Sequence, residues 1–225
     1  MHEYIKKAAN RAKQKNKEQY LFHAPVYVVH ELPEDINLPL VLEKLEALLP
    51  KSFCQAIDSI YISHLEEFDK RSVNAMYKDG AIYVTNRQDD ALDLIDDIVH
   101  EVAHAVEESA KDNIYGDGLI EREFLAKRNT LYGILHEEGY APSPMLFQNP
   151  EYSEDMDTYL HQFVGYPTLI SLSMGLFVSP YAITSLREYF ACAFEEYFLG
   201  DRTYVKKIST QVYNKIERIK EEGDF

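Results

Sequence analysis

Between Leu92 and Val106 apolar residues recur at the helical interval: Leu92, Ile95, Ile98, Val99, Val102, Ala103 and Val106 form one stripe of a helix that runs to about Ala110. A stripe this long needs a layer to bury it, and the preceding segment supplies one. Val26-Tyr27-Val28-Val29 and Ile57 to Ile62 read as short strands. Asn74-Ala75-Met76-Tyr77 and Ala81-Ile82-Tyr83-Val84-Thr85 flank Lys78-Asp79-Gly80, where Asp-Gly supplies the positive φ values of a tight hairpin turn. Leu38 to Leu49 repeats apolar residues at helical spacing, and Pro50 ends that helix. Residues 25–85 therefore predict a small sheet with one helix.

After Asn86 the pattern turns mainly helical. Further helices are expected near 119–138, 154–176, 184–199 and 203–221, with the Pro-rich stretch Tyr140 to Tyr152 as a loop. The predicted class is α+β, a small mixed sheet followed by a helical half. No internal repeat or long linker divides it, so residues 21–225 read as a single domain behind an N-terminal arm, residues 1–20, that holds six Lys/Arg against two acids. At 225 residues and 46% hydrophobic content the chain can build a real core.

The net charge of -15 argues against nucleic acid as a partner, because such a body repels phosphate backbones. Two cysteines are too few for a disulfide framework. The start, Met1-His2-Glu3-Tyr4-Ile5-Lys6-Lys7, lacks the apolar stretch of a secretory leader. The longest apolar passage, Phe163 to Val178, is interrupted by Gly165, Pro167 and Gly175 and is too short to span a bilayer. The expectation is a protein without a membrane segment, cytoplasmic or delivered by a non-classical route. No oligomeric state emerges from the sequence.

The chemistry concentrates in His100-Glu101-Val102-Ala103-His104. Histidines four apart on a helix share a face, so both imidazoles can reach one Zn²⁺, while the intervening Glu101 leans toward a water on that metal. A catalytic zinc needs a third protein ligand. A third histidine six residues after the second is excluded, since Ala110 stands there and Glu107 occupies the position of the accompanying glycine. Two glutamate clusters remain: Glu121 with Glu123, and Glu188 with Glu195 and Glu196. In the segment from Ser185 to Leu199, Glu188, Cys192 and Glu195 share one helical face, and Leu186, Phe190, Ala193, Phe194 and Tyr197 form the apolar stripe. Small Ala191 and Cys192 would let that helix approach closely, which favours Glu188, with Glu121, Glu123 and Glu195 still open.

His100-Glu101-Val102-Ala103-His104-Ala105-Val106-Glu107-Glu108, followed by Glu188-Tyr189-Phe190-Ala191-Cys192-Ala193-Phe194, resembles the anthrax lethal factor and Pro-Pro endopeptidase family of zincin metallopeptidases. The resemblance covers roughly residues 74–110 and 179–215. It implies a zincin-like fold and a gluzincin-type zinc endopeptidase, with one zinc held by His100, His104 and Glu188 and with Glu101 as general base. It also implies a catalytic role for Tyr181, seven residues before Glu188. Cys192 departs from the pattern, since the family usually has a second acid there, and its thiol is a conceivable substitute ligand. The long stretch at about 111–178 reads as a helical insert shaping substrate access. The strand Ala81 to Thr85 precedes the zinc helix, where zincins place the edge strand that pairs with extended substrate. The implied partner is a peptide or protein substrate, and the acidic body favours a cationic one. Two rivals stand beside this reading: a degenerate zincin serving as a peptide-binding or structural module, and a zinc hydrolase of a non-peptide amide.

Other polar residues read as ordinary. His64 with Glu67, His136 with Glu137 and Glu138, and His161 near Asp157 are expected on the surface. Asp93, Asp96 and Asp97 suit the positive end of the zinc helix, and Asp97 has the spacing to orient a histidine. Cys54 reads as a small buried apolar residue.

Overall fold

The computed structural model describes residues 19–71 and 73–223. The expected basic arm lies outside the described residues except for Gln19 and Tyr20, which open the first strand. The architecture is α+β, with eleven helices and a five-stranded mixed sheet among the described residues. The chain divides into two compact units, one ending at Ser109 and the other beginning at Ala110. None of the described helices is long and apolar enough to cross a membrane.

The first unit holds the sheet: β1 (Gln19–Leu21), β2 (Ala24–Val28), β3 (Ser59–Ile62), β4 (Ala75–Lys78) and β5 (Ala81–Val84). The strand order is β1-β2-β3-β5-β4. β2, β3 and β5 run parallel, and β1 and β4 flank them antiparallel. Alternation sorts the side chains onto two faces. Val26, Ile60, Ile62, Ile82 and Val84 are buried on one. On the other, the cross-strand partners Tyr27, Tyr61 and Tyr83 stack with ring centroids 5.2 Å apart at each step. Leu65 and Phe68 cover part of this tyrosine row, helped by α2 (Glu66–Arg71), a short helix that the sequence pattern does not reveal.

The helix α1 (Leu38–Leu48) starts where expected, its Asn37 side chain accepting from the Leu40 N–H and Pro39 sitting in the first turn. α3 (Ala91–Ser109) begins at Asp90, whose carboxylate accepts from the N–H groups of Leu92 and Asp93 at 2.6 and 3.1 Å. Its buried stripe differs from the expected one at the first turn. Leu92 is 58% exposed and Leu94 is buried instead.

One expectation is corrected by the topology. β5, the strand Ala81–Val84, is interior to the sheet, paired with β3 on one side and β4 on the other; among the described residues the outer strands are β1 and β4. The Thr85 N–H donates to the Asn74 carbonyl at 2.8 Å, which fixes the alternation of bonded positions along this antiparallel pair. Met76 and Lys78 then bond inward to Tyr83 and Ala81, and Ala75 and Tyr77 turn their N–H and C=O groups away from β5.

The second unit is helical: α4 (Lys111–Tyr115), α5 (Leu119–Glu137), α6 (Pro144–Gln148), α7 (Glu154–Thr158), α8 (Tyr166–Ser173), α9 (Leu186–Leu199), α10 (Arg202–Ile208) and α11 (Thr210–Glu222). Its core is aromatic, with Phe124, Phe177 and Tyr189 in mutual contact. The segment 154–176, expected as one helix, breaks into α7, a wider turn at Tyr159–Val164 and α8, because Gly165 at φ +84° and Pro167 interrupt it. The expected loop contains α6, which Pro144 opens from the first turn. The expected helix at 203–221 breaks at Ser209 into α10 and α11.

The β4–β5 turn gives a stability test. Asp79 (φ +51°) and Gly80 (φ +77°) both occupy the left-handed region that a two-residue hairpin needs. A Cβ at position 80 would also stand 2.6 Å from Asp58 Oδ2, which can swing aside, so backbone strain sets the cost. Gly80→Ala is expected to destabilise by about 1–2 kcal/mol, read as a lower urea midpoint at unchanged slope.

Candidate metal centre

From Ile98 to Glu107 the helix α3 is buried on nearly every side, and this is where its inward-facing ionisable residues lie. Glu101 is 6% exposed, His104 8% and Glu107 4%. Such groups are rarely buried without partners. His104 Nδ1 and Glu107 Oε2 are 3.0 Å apart, one turn apart on the helix. An ionised Glu107 carboxylate accepts from Nδ1–H, which in a neutral ring leaves the lone pair on Nε2, the arrangement that orients a metal-binding imidazole. His100 is half-buried, its ring centroid 5.2 Å from that of His104 at an interplanar angle of 77°.

One turn before His100, Asp97 accepts a 2.8 Å hydrogen bond from Gln88 Nε2, which also donates to the Thr85 carbonyl at 3.1 Å. Burial pushes the Asp97 carboxyl up to about 6, the Gln88 bond opposing and the neighbouring Glu101 adding to the rise.

The second unit presents Glu188 in the first turn of α9. Ser185 caps that helix, its hydroxyl accepting from the Glu188 N–H at 3.1 Å, which fixes where the first turn begins. Tyr181 opens a short turn, Tyr181–Ile183, just before the cap, and its carbonyl accepts from the Thr184 hydroxyl and N–H at 2.8 and 3.0 Å.

One ligand atom from each of His100, His104 and Glu188 lies within 4.8 Å of the others, the one such group among the described residues. The remaining glutamates fall elsewhere. Glu121 is exposed, and Glu123 accepts from the Tyr189 hydroxyl at 2.8 Å and from the Gln211 N–H at 3.2 Å. Glu195 and Cys192 are outside the group. The Cys192 thiol is buried, its pKa pushed well up by burial and then by Glu195 and Glu188, and it is not part of the group.

Two imidazoles and one carboxylate are a donor set suited to zinc. Donors at about 2.0–2.2 Å from a tetrahedral ion stand about 3.4 Å apart, a spacing within the 4.8 Å bound on the group. The residue that sequence reasoning passes over is Glu107. Its signal is the spacing of three from His104 within an otherwise apolar stretch.

His136 and His161 are exposed as expected; His64, expected on the surface, is part-buried, and its Nε2 pairs with Asp69 at 2.8 Å rather than with Glu67. Cys54 is fully buried, its thiol pushed up to about 12 by desolvation. Compared with known proteins, the chain matches no family model, no curated protein and no solved structure.

Asp97 yields a pH test. Its folded-state pKa lies above the unfolded value of 3.8, so the stability it contributes is present below about pH 4 and is lost as pH rises through about 6. A shift of this size is worth at most about 3 kcal/mol. In chelator-stripped protein, Asp97→Asn is expected to match the wild type in urea midpoint at pH 4 and to exceed it at pH 7.5. Equal midpoints at both pH values would contradict this account.

Proposed function

We propose that the chain is a zinc-dependent endopeptidase of the gluzincin type, with a zincin-like fold akin to the lethal factor and Pro-Pro endopeptidase family. The observation that carries the reading is the grouping of His100 and His104, one turn apart, with Glu188, which is distant from them in sequence, as residues that could hold one metal ion. The buried Glu101 between the two histidines and the Glu107 bond to His104 support it.

His100, His104 and Glu188 would hold the zinc, whose chemistry is to polarise a peptide carbonyl and acidify a water. Glu101 takes the proton from the attacking water and returns it to the leaving amine. Its burial favours that exchange by weakening the carboxylate's competing solvation. Tyr181 donates a hydrogen bond to the oxygen on which charge develops. As an outer strand, β4 would offer the backbone of Ala75 and Tyr77 to an extended peptide, which then adds a strand to the sheet. The acidic body steers cationic peptides toward the protein, an effect that salt weakens.

Three variants test the assignment. Zinc is expected to copurify near one equivalent and to be absent from His100→Ala. Glu101→Gln should keep its zinc and lose about 10²–10⁴-fold in peptide hydrolysis. Tyr181→Phe should keep zinc and lose about 10²–10³-fold in kcat. Zinc content is read by atomic absorption and cleavage on a peptide library. A natively folded wild-type protein that takes up no zinc would sink the proposal, and full activity in Glu101→Gln would remove the general base.

A further inference from the structure

Arg128 is a fully buried arginine on α5, with none of its surface exposed. No carboxylate among the described residues pairs with it. Its guanidinium instead donates five hydrogen bonds to backbone carbonyls. Nε and Nη2 reach Ile183 O at 2.8 and 2.6 Å, and Nη2 reaches Thr184 O at 2.8 Å. Nη1 reaches Leu146 O at 3.2 Å and Asn149 O at 2.5 Å. The plane of the group lies over Phe124, 4.6 Å from the ring centroid. All five N–H donors of the fork are thus used.

A buried cation is costly unless every donor is met. Meeting them with carbonyls from two segments ties those segments to one rigid group. The first is the end of the Tyr181–Ile183 turn together with Thr184, the residue before the Ser185 cap of Glu188's helix. The second is α6 and the residue after it, in the helical insert. The Leu186 N–H also donates to the Pro150 carbonyl at 2.7 Å, next to Asn149. The insert and the start of α9 are therefore locked together within three residues on either side of the guanidinium's contacts.

We infer that Arg128 is a positioning residue for the proposed centre, its five carbonyl bonds fixing the turn that carries Tyr181 and the first turn that carries Glu188. The inference rests on the zinc-peptidase reading for its consequence, and on the geometry of the second unit for its mechanism. A further role for the insert follows: it holds the third ligand's helix in place.

The experiment compares the full chain with Arg128→Lys and Arg128→Met, by hydrogen exchange and by competition for zinc with a chromophoric chelator. Lysine keeps the charge and supplies three donors in place of five, so this variant keeps the test alive if the methionine variant fails to fold. In Arg128→Lys the amides of residues 181–188 are expected to exchange at least tenfold faster, with α11 unchanged. Its zinc affinity should fall by about 10-fold or more, the scale of lost support around a ligand. Arg128→Met should show the larger change in both. Unchanged exchange at 181–188, or a loss of protection spread evenly over the second unit, overturns the inference, as does wild-type zinc affinity in a variant whose 181–188 segment has loosened. Should the wild type itself bind no zinc, the centre falls as a reading while the exchange comparison still decides whether Arg128 fixes the turn.

Discussion

Burial of Glu101, His104 and Glu107 on one stretch of α3 is the constraint around which the first unit is arranged. Each of these side chains loses its water, and such losses amount to several kcal/mol per ion when nothing compensates. The His104–Glu107 hydrogen bond compensates two of them directly. The rest of the helix contributes the means: Ile98, Val99, Val102, Ala103, Ala105 and Val106 are buried around them, so apolar burial sustains a helix that carries charge inside. A purely structural helix would gain from leucine at those three positions. Ionisable groups at those positions fit the proposed metal chemistry better than a purely structural helix.

The stretch that carries this burden is also the most legible in sequence. Apolar spacing predicts a helix over 92–110, and the structure forms α3 over Ala91–Ser109. The Asp-Gly hairpin is readable because positive φ at two adjacent residues admits few residue types. Strand order is not readable. Periodicity says that Ala81–Val84 is a strand with buried alternate residues, and nothing in it distinguishes an interior strand from an edge; only the pairing of β5 with β3 does that. Leu92 shows the limit of a helical stripe, because the first turn of a helix can project past the layer that buries the rest.

The proposed third ligand illustrates a different limit. Glu121, Glu123, Glu188 and Glu195 all sit on helices, and the sequence favours Glu188 without excluding the others. What separates them is the group each one joins, since Glu188 alone stands with His100 and His104. Glu123 is taken by Tyr189 and Gln211, and Glu121 faces solvent. Glu188 is placed by a cap, since the Ser185 hydroxyl fixes the Glu188 N–H and so the direction of the first turn. The Ser-x-x-Glu pattern at 185–188 is visible in sequence as a helix start, and it is in retrospect the local signal that favours this glutamate over its neighbours.

Cys192 is buried among carboxylates, and its surroundings favour a neutral side chain there. A carboxylate at this buried position would face Glu188 and Glu195 on its own helix, the two groups that already push the thiol up. A neutral thiol avoids that repulsion and accepts a hydrogen bond from Ser179, two residues before Tyr181. Orientation of the Glu188 turn then falls to backbone contacts: the Ser185 cap, the Thr184 bonds to the Tyr181 carbonyl, and the guanidinium of Arg128 on Ile183 and Thr184. The two units thus hold their proposed ligands by opposite means. The first uses a buried carboxylate on an imidazole, a pairing sensitive to protonation. The second uses carbonyls gathered by a cation that stays charged, its pKa lowered only to about 10, so the placement of Glu188 is insulated from pH across the range in which histidine titrates.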